Sequence, residues 1–181
     1  TAEGAEGKPT VRAITGFVTI DATNYRTQIQ ETVTFLSTVR EAVVAAGYNV
    51  SGIRISTQPF SDFTKGLSRA DSLVLLHSIN ELAGTLKFAP NIGPAMLKDG
   101  DDTSSVDLLI DVLSSPENRL NANIIVAGEA GIQWTAVRQA ARVIKQVGER
   151  SAHGQGNFNF AAIAMLKPYG PFYPGAWHPG G

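Results

Sequence analysis

The sequence contains no cysteine. That excludes a disulfide framework, a Cys-ligated zinc or iron–sulfur site and a thiol nucleophile within this chain. Charge is also sparse, at 17% of residues, with 15 basic against 16 acidic side chains, a formal net charge of -1 and no stretch that gathers four or more Lys or Arg. Neutralising phosphates needs clustered cations, so nucleic acid is not an expected partner. Long apolar runs are missing too: residues 73–76 and 161–166 are far shorter than the roughly 20 residues that span a bilayer, and no membrane segment is expected. His77 and His153 have no second ligand at helical or hairpin spacing, so no metal site is expected locally.

What is present suits one globular domain of 181 residues, 43% of them hydrophobic. Residues 1–9 are small and polar and read as a mobile arm. Because the chain starts at Thr1, it reads as a trimmed or processed product, or as one fragment of a cut precursor. The expected localisation is that of a soluble protein, cytoplasmic or exported after N-terminal processing.

Residues 10–166 carry repeated strand-then-helix signals. The β-branched and apolar positions of residues 11–20 predict a first strand, and Thr23 or Asn24 is placed to cap a helix that Gly47 stops. Residues 50–57 predict a second strand ended by Pro59, and residues 68–86 a second helix. Residues 88–96, broken by Pro90 and Pro94, read as a weak strand running into a loop. Thr103 and Ser104 are placed to cap a helix through Leu113. A strand over 122–127, a helix over 132–147 closed by Gly148, and a charge-free strand over 158–166 complete the pattern. Such alternation predicts an α/β fold with a largely parallel sheet. Residues 167–181 form a closing loop rich in proline, glycine and aromatics, ordered by packing, by a partner or by a chemical role.

Three stretches carry a resemblance: residues 11–15, residues 132–137, and Phe172-Tyr173-Pro174-Gly175-Ala176-Trp177-His178. They resemble the domain-of-unknown-function family 711, whose fold resembles that of pyruvate formate-lyase. The closing stretch is the most selective, being similar to that family's Phe-x-x-Gly-Ala-aromatic-His-x-x-Gly with Gly181 as the last glycine and a departure at Pro179. The resemblance implies that the chain is part of a larger pyruvate formate-lyase-like α/β barrel and that a C-terminal part is missing. It carries no activity. Nor does it import radical chemistry, since a glycyl radical enzyme relays its radical through a thiol and this chain has none.

Open α/β sheets bind ligands outside the carboxyl ends of their strands. Asp21 and Asn24 follow the first strand, Thr57 closes the second, Arg54 lies on its less apolar face, and Gly128-Glu129-Ala130-Gly131 follows the third strand ahead of a helix N-terminus. Asp21, Asn24, Arg54, Thr57 and Trp177 are therefore candidate ligand contacts, for a small carboxylate or phosphate. Catalytic candidates are His178, whose ordinary pKa lies near neutrality, and Glu129. The competing readings are that His178 packs on aromatics and bonds a carbonyl, and that Glu129 stabilises a helix end. Asp99, Asp101 and Asp102 lack the later glutamate of an EF-hand and read as helix-capping turn residues.

Two functions fit these features. One is an enzyme or enzyme-like subunit with a polar crevice at the strand ends, closed by the loop of Trp177 and His178; no cofactor can be named. The other is a non-catalytic binding or assembly subunit of a two-chain complex, or one chain of a self-cleaving N-terminal-nucleophile hydrolase. The apolar last strand and aromatic loop point to an oligomer containing a second polypeptide from the C-terminal part of the same precursor.

Overall fold

The structure, a computed structural model, describes residues 8–170 and 172–180. Residues 1–7 of the expected arm and Gly181 lie outside them. Lys8 donates from Nζ to the Ala46 carbonyl at 2.6 Å and lies 4.8 Å from the centre of the Tyr48 ring.

Strand β1 (Ile14–Val18) feeds helix α1 (Tyr25–Ala45), which buries Ile29, Val33 and Leu36 at the four- and three-residue spacing of one helical face. The expected capping by Thr23 or Asn24 is corrected. Asp21 does this work, its Oδ1 accepting the Thr23 and Asn24 backbone N–H groups at 2.8 Å each, because a carboxylate aimed at free amides also meets the positive helix end. Strand β2 (Ile53–Thr57) follows, then, directly after the expected stop at Pro59, a short helix α2 (Phe60–Phe63) too brief to show periodicity. Helix α3 (Arg69–Leu86) starts as expected, with Ser68 Oγ accepting the Asp71 N–H at 3.1 Å.

Strand β3 (Ala89–Met96) corrects the weak-strand expectation: it lies inside the sheet, nearly every residue buried. Its prolines are tolerated because the ladder to the next strand is irregular there, and Asn91 Oδ1 accepts the Gly93 N–H at 2.9 Å in place of a strand partner. Helix α4 (Ser104–Leu113) is capped by Asp102 on the Ser104 N–H at 3.0 Å, not by Thr103 or Ser104. Strand β4 (Asn121–Gly128) turns at Glu129 into the two-residue strand β5 (Gly131–Ile132), so the glycines there build a hairpin rather than a helix N-terminus. Helix α5 (Trp134–Arg150) begins after it and runs past Gly148. A 3-10 turn (Ala152–Asn159) then shortens the last strand, β6, to Phe160–Ala164.

Strands β1, β2, β3, β4 and β6 pair in that order, all parallel, and β5 folds back antiparallel on β4. This is the expected α/β fold with a mostly parallel sheet. Contacts run from α1 to α3, α3 to α4 and α4 to α5, which lays these helices side by side on one face of the sheet. Gly16 marks that face, since a Cβ there would meet Leu36 and Thr32 of α1. The main core, including Leu76, Ile92, Leu109, Leu113 and Val143, lies between sheet and helices.

The opposite face carries Phe17, Ser56 and Asn91, register neighbours on β1, β2 and β3, with Arg54 two residues back on β2 and Asn121 and Asn123 of β4 beside them. A parallel sheet needs cover on both faces. The closing segment supplies it here: Phe17 packs edge-on against Tyr169, and a Cβ on Gly175 would collide with Ile163 of β6 and Phe172.

Candidate functional site

Beyond the carboxyl ends of β2 and β3, the chain leaves a crevice of about 650 Å³ between the N-terminal turns of α3 and α4. Its charged lining includes Asp62, Lys65, Arg69, Asp101 and Asp102. A smaller hollow of about 220 Å³ shares Ser61, Asp62 and Asp101 with it and is walled by Trp177 and Pro179 of the closing segment. Strand and helix ends converge here because each parallel strand hands its chain to the helix layer at this edge.

Most of the charges here are already committed. Asp101 Oδ2 accepts the Leu97 and Lys98 N–H groups at 2.6 and 3.0 Å, and Asp102 accepts the Ser104 N–H and hydroxyl. The second bond holds the Asp102 carboxyl below the ordinary range, aided by the first. Arg69 pairs with Asp111, which also takes Arg150 at 2.7 Å, and Asp107 takes Arg142 at 2.7 Å. Asp99 caps α5 from outside, accepting the Ala136 N–H at 3.0 Å. Asp62 and Lys65 remain, with no hydrogen bond or ion pair to another described side chain. Loss of hydration raises the Asp62 carboxyl above its ordinary range; nearby Lys65 opposes the shift and Asp101 adds to it. A carboxyl that holds its proton at higher pH beside a free ammonium can exchange a proton with a bound polar molecule.

The sequence-predicted residues are spread across the fold. His178 is buried with both ring nitrogens engaged: Nδ1 accepts the Gly180 N–H at 3.2 Å, which leaves the proton on Nε2 to bond the Val18 carbonyl at 3.0 Å. Its ring stacks on Tyr169 and meets Phe17 edge-on. This is the packing arrangement weighed against catalysis for His178. Glu129 sits exposed at the tip of the β4–β5 hairpin. His178 is tied to β1 and Glu129 leaves β4, three strand spacings or roughly 14 Å apart, so they cannot act together on one bond.

Asp21 and Asn24 are engaged with each other, and Asp21 also accepts Gln28 Nε2 at 3.0 Å. The Asn24 bonds hold the Asp21 carboxyl low, with further bonds from Thr23 and Gln28. Thr57 is buried, and its hydroxyl donates to the Gln58 carbonyl at 2.7 Å. Arg54 lies 4.4 Å from the centre of the Tyr173 ring and has no acceptor among the described residues. Trp177 alone of the candidates borders the crevice system. Among the described residues, no three His, Asp or Glu side chains gather to hold a metal ion, and no helix is long and apolar enough to cross a membrane.

Asp62 and Lys65 were missed. The strand-end rule, applied to the residues just after Pro59, is the signal that would have reached them.

No curated protein matches the sequence. A family model described as uncharacterised ACR (DUF711) matches residues 5–181, and the chain belongs to that family.

Proposed function

We infer that this chain is an enzyme-like subunit whose strand-end crevice binds a small polar molecule through a carboxylate or phosphate. The observation that carries the reading is the pair Asp62 and Lys65, neither with a hydrogen bond or ion pair to another described side chain, in a crevice between the first turns of α3 and α4 at the carboxyl ends of β2 and β3. Lys65, which has no ion pair to another described side chain, supplies the positive charge for the anionic group. Asp62, whose carboxyl loss of hydration raises above its ordinary range, is the candidate group for proton exchange, and Trp177 closes the adjoining hollow.

Strand order that follows chain order, with the long helices on one side, supports a place for this unit in the wall of a larger pyruvate formate-lyase-like barrel. The chemistry proposed for the crevice does not depend on that barrel.

Titration with inorganic phosphate and with succinate, followed by amide chemical shifts, tests the reading. Shifts centred on residues 61–67 and 101–105 are expected, with Lys65→Ala weakening binding about tenfold, the loss of one charge-assisted contact. If neither anion moves those amides, the reading fails.

A second reading, an assembly subunit that docks a further polypeptide of the same precursor, is favoured by β6. This strand pairs only with β4 among the described strands, carries no charge to blunt its outer edge, and is preceded and followed in the chain by exposed Phe158 and Met165. Native mass spectrometry of the full assembly decides it: a monomer at 19.2 kDa would end this reading.

A further inference from the structure

The helix-free face of the sheet carries a row of polar side chains, which residues 172–178 cover. Asn91 and Asn123 both donate from Nδ2 to the Pro174 carbonyl oxygen, Asn123 at 3.2 Å. Asn121 Nδ2 donates to the Tyr173 hydroxyl at 2.6 Å and also to the Arg119 and Pro90 carbonyls at 2.9 and 3.2 Å, and the Tyr173 hydroxyl donates to the Pro90 carbonyl at 3.0 Å. The half-buried Arg54 guanidinium lies over the Tyr173 ring, 4.4 Å from its centre.

Two features set this cover apart from ordinary core packing. First, the row presents converging amide N–H donors from two adjacent strands, β3 and β4, plus on β2 a guanidinium whose donors have no acceptor among the described residues. That is the donor set a carboxylate requires, and a ring face satisfies none of Arg54's hydrogen bonds. Second, the cover leaves hydrogen-bonding capacity unused: among the described residues, Ser56 Oγ and Asn123 Oδ1, on residues 1% and 0% exposed, have no partner, and neither has Trp177 Nε1 in the covering segment itself. Buried polar groups are normally paired, and leaving them unpaired costs the native state. A segment selected only to seal this face would have apolar residues beneath it.

We propose that residues 172–178 are a displaceable strap over a binding row made by Arg54, Asn91, Asn121 and Asn123, and that the uncovered row takes a carboxylate-bearing small molecule. The Pro174 carbonyl holds the place of one carboxylate oxygen and the Tyr173 ring that of the ligand's body over Arg54. The row lies on the far side of β2 and β3 from α3 and α4, whose N-terminal turns frame the crevice of Asp62 and Lys65; Trp177 links the two, as part of the strap and as a wall of the adjoining hollow, while Lys65 belongs to the crevice alone.

Benzoate, a planar carboxylate with an aromatic body, is the probe. Tyr173→Ala removes the ring from Arg54 and the hydroxyl from Asn121. Calorimetric titration of the full chain should show benzoate binding at least about tenfold tighter to Tyr173→Ala than to the parent, since the guanidinium no longer has to give up a partner. Arg54→Met in that background should abolish the gain, and Lys65→Ala should leave it intact. A gain that survives Arg54→Met, or no gain in a variant that still unfolds cooperatively, overturns the proposal. A second measurement uses the parent chain and does not depend on the variant folding. Excess benzoate should speed amide hydrogen exchange at residues 172, 173 and 175–178 while leaving α3 unchanged, and exchange that is unaltered in the strap also overturns the proposal.

Discussion

The His178 Nε2–H donates to the Val18 carbonyl oxygen at 3.0 Å, across 160 positions of sequence. The bond joins the closing segment to the end of β1, and the same ring packs against Phe17 and Tyr169. His178→Ala removes the bond and the packing and leaves the Val18 carbonyl without its side-chain partner. A loss of roughly 1–3 kcal/mol is expected from urea denaturation. Phosphate binding at the Lys65 crevice should persist, because His178 contributes no group to it.

Gly93 is the residue on which β3 depends most. Its φ is +73°, and a Cβ built there would lie 2.8 Å from the Gln58 carbonyl oxygen. Gly93→Ala therefore meets both a left-handed backbone penalty and a backbone clash, and a destabilisation of at least about 2 kcal/mol is expected in thermal or urea unfolding.

Two aspartates should show opposite pH behaviour. The Asp62 carboxyl is raised above 3.8 in the folded chain, so its native form is favoured when protonated. Its effect lowers stability as pH rises from 3.8 through the raised folded value. Asp62→Asn should be more stable than the parent at neutral pH, with the gap closing in acid. The Asp21 carboxyl is lowered, so it stabilises the fold above 3.8, and that contribution disappears as pH falls through its folded value. Asp21→Asn should be less stable than the parent at neutral pH, again with the gap closing in acid. Melting temperatures measured against pH give the signs.

Asp99 reaches across from the β3–α4 loop to cap α5 at Ala136. Asp99→Ala should cost about 1 kcal/mol, as for other lost helix caps. Hydrogen exchange should rise in the first turn of α5 and not in its last.

The strand-helix alternation was legible because it rests on hydrophobic spacing, a local property. Val33 and Leu36, or Leu76 and Ile79, declare their buried faces within a few residues. β3 was read too weakly because two prolines argue against an interior strand, and the compensation lies in contacts that spacing does not reveal: the Asn91 side chain on Gly93 and a ladder that slips between Asn91 and Met96. The candidate site was harder. His178 drew notice as a histidine in a glycine-framed loop, yet what decides its role is a carbonyl on a strand near the other end of the chain. Glu129 was placed on a helix end because the β5 hairpin is only two residues long and leaves no periodic signal. Asp62 and Lys65 sit in a polar stretch whose meaning comes from the α4 loop brought beside it by the sheet.

The pairing of each strand with one already made, β1 to β2, β2 to β3, β3 to β4 and β4 to β6, has a consequence for the chain during synthesis. Every new strand emerging from the ribosome finds its docking edge already in place, so the sheet can grow by annealing in the direction of translation without waiting for distant sequence. The closing segment is the exception. Its contacts reach Val18, Asn91, Asn123 and Ile163, on or beside four different strands, so it can settle only on a finished sheet. Until then the polar row on the helix-free face is bare, and that interval is when a nascent chain is open to chaperones or to a premature partner.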